Sequence, residues 1–523
     1  MGAFDKALNI LGDASGVVDK AIGYISPSWA VSRNKSRSML AAYEAVKPGR
    51  LRKLQKESRG PDAVMFGAGA SLREQARYLD ENHDLVTGIL DTLVVRTVGP
   101  NGINVEPMVR DDEGEPLKEF NKELLDGFNE WYERPDVTGE YSGGQCEQLA
   151  ARTWFRDGET LTQHVMGMKP GLRHPTKTQY LIELLEPDLL PWDYEDAKDN
   201  IVQGVQKNAW GRPTRYWFYR KHPGELTSYR VTRADVKPVG AEFISHLKLT
   251  RRIRQTRGVS IFHSVMTRIQ DLKDYEESER VAARISAAMA AYIKKGNPDS
   301  FVPTESTNDR SFKVQPGLVF DRLQPGEEIG TIQSNRPSAL LEPFRNAMIR
   351  MISSGTRTSY SSASKSFDGS YSSQRQELVE QWDHYATLQS EFIASWKMPV
   401  YKNYIRASIL SGRHVLPGNI DLSTLTNAHY QGPSMPWIDP NKESQANERD
   451  LRMGVKSQSG IIRSRNINPS QLRDQIKQDR EWEEENDLVF SGNAKHDLVP
   501  EMPEAQTEEN KPGANSAKTE EEE

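Results

Sequence analysis

Residues 254–296 read RQTRGVSIFHSVMTRIQDLKDYEESERVAARISAAMAAYIKKG. Apolar residues recur at helical spacing in the first half (Phe262, Val265, Met266, Ile269, Leu272) and again in the second (Val281, Ile285, Ala288, Met289, Tyr292). Between them lies a charged waist, Lys273 to Arg280. No Pro or Gly interrupts 259–295, and Gly258 and Gly296 stand at the ends as helix punctuation. The spacing predicts one helix over 259–295, about 55 Å long at 1.5 Å per residue. So charged a middle excludes a buried core rod. The helix is expected to run along a wall between subunits or domains.

Working outward, the chain of 523 residues is too long for one ordinary core. A mean hydropathy of -0.70 fits an elongated or oligomeric protein with much wetted surface. There is no stretch of eighteen apolar residues and no charged-then-apolar leader, so neither a membrane span nor a signal peptide is expected. A single cysteine, Cys146, cannot form an internal disulfide and reads as a buried small hydrophobe. The net charge of -6 resides in the tail: 491–523 holds nine acidic residues and three lysines, so 1–490 sums to zero. The body is therefore not a generic polybasic nucleic-acid binder.

Upstream, 3–24 is a candidate amphipathic helix. Residues 31–60 carry nine Lys/Arg against Glu44 and Glu57, which suits either a solvated arm or a contact with an acidic partner. Helices are expected over 71–96 (with Ser71 as cap), 115–134 and 144–156, with a strand at 103–109. From 159 to 250 the period shifts to two. ETLTQHVMG, YLIELLE, NIVQGVQ, TRYWFYR and EFISHLKL read as strands, so an α+β domain is expected. Downstream, 297–335 reads as a small β module and 338–354 as a helix. The serine-rich 356–373, TRTSYSSASKSFDGSYSS, reads as a polar, mobile loop. A long helix follows from Gln374 towards Trp396, ended or kinked by Pro399.

Catalytic signatures are sparse. There is no phosphate-binding loop, no nucleophile elbow, no paired-histidine zinc motif, and no cofactor or metal is expected. Asp188, Asp196 and Lys198 approximate the paired carboxylates and lysine of metal-dependent nucleases, but 196–199 reads as a charged turn rather than a strand.

Several blocks together resemble the lambda-type portal proteins of tailed bacteriophages. They are ARYLDENHDLVTGILDTLVVRTVGPNGINV, LLEPDLL, NIVQGVQKNAWGRPTRYWFY, HLKLTRRIRQTRGVSIFHSVMTRIQDLKDYEESERVAARISA, LQPGEEIGTIQSNRPSALLEPFRNAMIRMIS, SFDGSYSSQRQELVEQW and WIDPNKESQANERDLRMGVKSQSGII. The resemblance spans roughly 35–490 in order and implies an α+β, multi-domain portal fold with wing, stem, clip and crown. On that map 1–34 is an arm, 35–255 the wing, 256–296 the first stem helix and 297–335 the clip. Then 336–355 is the second stem helix, 356–373 a tunnel loop and 374–400 a long wing helix. Finally 401–490 is the crown and 491–523 a disordered acidic tail.

The resemblance further implies a homo-oligomeric ring of about twelve copies at one capsid vertex, without an active site. DNA would be pumped through it by a separate terminase and later ejected. The implied partners are terminase large subunit, major capsid protein and scaffold, head–tail connector proteins and double-stranded DNA bound without sequence preference. The location would be the virion, and the host cytoplasm during assembly. Arg357, Ser359, Ser361, Ser362, Lys365 and Ser370 would lie nearest the DNA. Phe262, Val265, Ile269, Ile285 and Met289 would meet neighbouring subunits. A nuclease using Asp188, Asp196 and Lys198, or an oligomeric scaffold without DNA, are the alternatives.

Overall fold

The computed structural model describes residues 57–225, 235–287, 291–295, 327–331, 340–435, 440–486 and 488, with residues 285–287, 291–295 and 327–331 described by backbone alone. The expected N-terminal helix, most of the basic segment, the acidic tail and nearly all of 297–335 lie outside these residues. The chain divides into two units, Met1–Val64 and Met65–Glu523. In the first, the Arg59 guanidinium donates to the Glu57 carboxylate, and the Val64 amide bonds the Gly60 carbonyl.

The second unit mixes helices and antiparallel sheets. The 71–96 pattern becomes two helices, α1 (Pro61–Asn82, whose first turn belongs to the first unit) and α2 (Asp84–Thr97), because His83 adopts an extended backbone between them. Ser71 sits inside α1 and caps nothing. Strand β1 (Asn104–Pro107), α3 (Lys118–Tyr132) and α4 (Gly143–Asp157) follow. Ser142 and Gln145 close a reciprocal capping box at the start of α4.

The period-two region forms two sheets. Strands β2 (Glu159–Met166), β3 (Tyr180–Leu185) and β8 (Ile244–Lys248) make one, ordered β3-β2-β8. Strands β4 (Ile201–Val202), β5 (Val205–Lys207), β6 (Pro213–Tyr219) and β7 (Val236–Gly240) make the other in sequence order.

The opening stretch departs most from expectation. Residues 255–265 are loop and turn, buried apart from the half-buried His263 and the exposed Ser264, and α5 runs only from Met266 to Ala287. Its 22 residues make about 33 Å. Strand β9 (Ala291–Lys295) pairs antiparallel with β10 (Glu327–Thr331). The cause is backbone geometry at two glycines. Gly158 has φ +89°, and a Cβ there would lie 2.2 Å from the Val259 carbonyl carbon; a Cβ on Gly258 would lie 2.0 Å from the Gly158 carbonyl oxygen. Only glycines permit this approach. It lets the Val259 amide bond Leu249 and the Ile261 amide bond Phe155, which ties 259–261 to the body instead of a helix.

Helix α6 (Leu341–Thr356) runs antiparallel to α5: its start meets α5 through Phe344 and Tyr275 (ring centroids 4.7 Å apart), its end through Gly355 against Val265. After α7 (Tyr360–Ser364), α8 (Tyr371–Phe392) continues through a π-helical turn, Ile393–Lys397, into α9 (Met398–Leu410). The wide turn lies directly before Pro399, which cannot supply an intrahelical N–H and whose ring crowds the preceding turn.

Helix α9 belongs to the central core, where Tyr401, Tyr404 and Ile405 are fully buried with Trp131, Trp154 and Phe392. Strand β11 (Ala428–Gln431) pairs with β1. The expected boundary at 401 therefore falls inside one continuous helical run and one core. Helices α10 (Pro440–Arg452), α11 (Gln458–Ser464) and α12 (Pro469–Glu485) bury little, with Pro469 their one buried residue, and α11 is tied to β1 by the Arg463 guanidinium on the Glu106 carboxylate (2.8 and 3.0 Å). No helix among the described residues is long and apolar enough to cross a membrane.

His164 on β2 joins all three strands of its sheet: Nδ1 lies 2.8 Å from the Tyr180 hydroxyl on β3, and Nε2 2.8 Å from the Ser245 hydroxyl on β8. Burial lowers its pKa to about 4, against roughly 6.5 in an unfolded chain. The folded state thus binds fewer protons. This stability is present above pH ~6.5 and is lost as pH falls towards about 4, on the order of 3 kcal/mol in total. His246, also lowered by burial, acts in the same direction. His164→Asn is expected to flatten the dependence of Tm on pH across that window; an unaltered slope would refute the assignment.

Candidate nucleic-acid interface

The serine-rich segment is not a free loop. Helix α6 ends at Arg357, which takes a left-handed backbone (φ +58°), while its amide bonds the Ser353 carbonyl. The Thr356 hydroxyl donates to the Ile352 carbonyl, and the Arg357 carbonyl accepts from the Gln381 amide group. Ser359 is the N-cap of α7, accepting from the Ser362 amide, and Ser370 is the N-cap of α8, accepting from the Ser373 amide. The Ser361 hydroxyl donates to the Glu377 carboxylate, which also accepts the Ser361 amide at 3.1 Å. Lys365 ends α7 with a second left-handed turn (φ +56°). The polar composition that reads as mobility is consumed by helix ends.

This sorts the expected DNA-proximal residues. Lys365 and Ser370 are exposed, Arg357, Ser361 and Ser362 half-buried, and Ser359 buried. Ser359 is therefore a structural cap, and its hydroxyl is not offered to a ligand. Between this segment and α2 lies a groove of about 700 Å³, walled by Val95, Arg96, Lys365, Phe367, Tyr371 and Arg375.

The expected subunit contacts fare differently. Phe262, Val265 and Ile269 are buried at 0%, 4% and 0% exposure in this chain's own core, so none faces outward. The reason is the anchoring of 259–261 described above. Ile285 lies in α5, but its side chain and all of Met289 are outside the described residues.

The nuclease residues do not form a reaction centre. Asp188 accepts from Arg73 (2.9 Å) and Arg77 (2.6 Å), and those cations hold its carboxyl below the usual range despite partial burial. Asp196 accepts the Lys198 backbone amide in a tight turn. Among the described residues one group of possible metal donors is gathered, Glu186, Asp188 and His222. The two arginines already neutralise its central carboxylate. Cys146 is fully buried, and burial pushes its thiol well up, as expected for an inert hydrophobe.

Sequence reading missed the buried polar groups. Arg257 is fully buried against Glu159 (2.6 Å), and Lys397 against Glu147 (2.5 Å). Neither carries a helix or strand period, and each pairs with a partner about a hundred or more residues away.

The family model for phage portal protein, lambda family, matches residues 47–389. The chain belongs to that family. It is 23% identical over 435 residues to the probable portal protein of Halomonas phage phiHAP-1, covering 80% of this chain and 81% of the relative. Among solved structures it is similar to the neck of an empty GTA particle (13% identity, 80% of this chain and 97% of the other, TM-score 0.41). It is also similar to the virion of the native gene transfer agent particle (12% identity, 80% and 97%, TM-score 0.37).

The caps are separable from any ligand. Ser359→Ala and Ser370→Ala are each expected to cost about 1 kcal/mol and to speed protease cleavage within 357–370. Cleavage at the unsubstituted rate, read by mass spectrometry, would refute the capping role.

Proposed function

We propose that this chain is one subunit of a ring of about twelve copies at a capsid vertex, and that double-stranded DNA passes through the ring. The observation that carries this reading is membership of the lambda portal family across 47–389. The exposed apolar side chains of α5 and α6 support it: Val281, Phe344 and Met351 are 43%, 43% and 57% exposed in one copy. Apolar area of that kind on a projecting helix pair suits burial against neighbouring copies.

In this reading α5 and α6 are the stem, β9, β10 and the chain between them the clip, and α10 to α12 the crown. The wing is the body up to residue 265 together with 371–435. The role is structural, with the energy of packaging supplied by a terminase. The other partners are the major capsid protein and scaffold during assembly in the host cytoplasm, and connector proteins in the virion.

The full chain, purified and imaged in negative stain, is expected to give rings with a central hole. Monomers or solid particles would overturn the reading. Arg357 and Lys365 are the cations of the serine-rich segment that we place nearest the DNA, touching phosphate without reading bases. Arg357→Ala with Lys365→Ala is expected to change packaging rate or packaged DNA length, and no change in either would sink that assignment.

A further inference from the structure

The connection from β8 to the start of the buried 255–265 segment projects as a small basic loop. Its tip reads Arg251-Arg252-Ile253-Arg254; all four are exposed, Ile253 at 93%. A mobile tip would spread its charges, but this one is clamped. The buried Gln255 side chain accepts the amides of Arg251 (3.1 Å) and Arg252 (3.3 Å) on one oxygen and donates to the Arg257 carbonyl (2.8 Å) with its nitrogen. Lys248 Nζ donates to the Gln255 and Thr256 carbonyls at 3.0 and 2.9 Å. Arg254 closes the turn in the left-handed region, φ +64°. Below the clamp, Arg257 is locked into the core. The guanidinium groups of Arg251 and Arg254 are thus carried on a rigid frame.

The loop shares its electrostatic surroundings with the serine-rich segment. Partial burial and the positive charge of Arg357 hold the Arg251 guanidinium below its usual range, with Glu391 opposing. Burial raises the Glu391 carboxyl against the opposing pull of Arg357 and Arg251. The surface thus couples cations from two segments to one carboxylate.

We propose that Arg251 and Arg254 form a phosphodiester-binding contact that, with Arg357, follows the nucleic-acid backbone without reading bases; this rests on the DNA-conduit reading above. A polyanion of regular charge spacing suits forked guanidinium donors on a fixed frame. An acidic protein surface is the rival class. A protein partner would be expected to bury apolar area as well, and the loop offers only Ile253.

The test uses purified full-length rings and a short fluorescein-labelled duplex, with binding followed by anisotropy across a salt series. Each phosphate contact adds roughly 0.9 to the slope of log affinity against log salt. R251Q/R254Q is expected to lower the slope by about 2 with rings intact in negative stain. R251K/R254K is expected to keep the slope. An unchanged slope in R251Q/R254Q with intact rings overturns the contact and leaves the conduit reading standing. Loss of rings in R251Q/R254Q marks the loop as a contact between copies and overturns it as well. An unsubstituted chain that forms no rings and binds no duplex removes the reading on which the contact rests.

Discussion

The architecture turns on one fully buried guanidinium. Arg257 donates to the Glu159 carboxylate from Nε (2.7 Å) and Nη2 (2.6 Å), and its remaining hydrogens reach the carbonyls of Leu190 (2.9 Å) and Pro187 (3.0 Å). Glu159 accepts further from the Gly258 amide and lies 3.0 Å from His246 Nε2. The Trp192 ring lies under the guanidinium, 4.0 Å from its centroid. Burial alone would raise the Glu159 carboxyl, but Arg257 and His246 outweigh it and hold the group well below the usual carboxylate range. Taking two charges out of water is costly, and leaving one of them unpaired costs about 3–5 kcal/mol. The pair is tolerated because nearly every donor and acceptor has a partner. It joins the first sheet, the 187–203 connection and the entry to α5 at one point.

A second buried pair, Lys397 with Glu147, also lies in the core. Lys397, in the π-helical turn, meets Glu147 on α4, which also accepts from the Tyr132 hydroxyl and the Ile103 amide at 2.7 Å each. The ammonium sits over the Tyr132 ring at 4.1 Å. Burial lowers the lysine and Glu147 opposes that shift. An apolar core accepts many packings of similar energy. A buried charge accepts only the one in which its partner is in place. The π turn matters here because it lies where Pro399 would otherwise strain a regular helix, and it delivers Trp396 and Lys397 to the interior together.

Much of this was legible from local pattern. Four of the period-two runs became single strands because alternation reflects the pleat, NIVQGVQ folded as the β4–β5 hairpin about Gln203 and Gly204, and α3 and α4 followed their apolar spacing. Strand β7 escaped notice since VKPVG carries Pro238, which a strand tolerates at a sheet edge, and β7 is the edge of its sheet. The 259–265 run failed for a different reason. Phe262, Val265 and Ile269 are spaced for a helix, yet Gly158 lies a hundred residues away and draws the chain into backbone pairing there. No window over 254–296 contains that glycine. The serine-rich segment failed because composition ignores position: Ser359 and Ser370 each stand at a helix start, three residues before the amide they accept. Counting serines discards that spacing.

The correction at 259–269 also changes what the long helices can do. With Phe262, Val265 and Ile269 committed to the core, the start of α5 is fixed to the body, as is the end of α6 through Ile349 and Ile352. The two helices form an antiparallel pair braced by Tyr275 against Phe344 and by Arg345 against Glu276 at 2.8 Å. An exposed ion pair of that kind adds little stability, so rigidity must come mainly from the anchored ends. Phe262, Val265 and Ile269 are thereby closed to any neighbouring copy, whereas Val281 on α5 and Phe344 and Met351 on α6 stay on the surface. The same anchoring fixes the basic loop at 251–254, since Gln255 to Arg257 are part of the buried joint. The node that holds the fold together therefore also sets where the helix pair leaves the body and where the arginine tip stands.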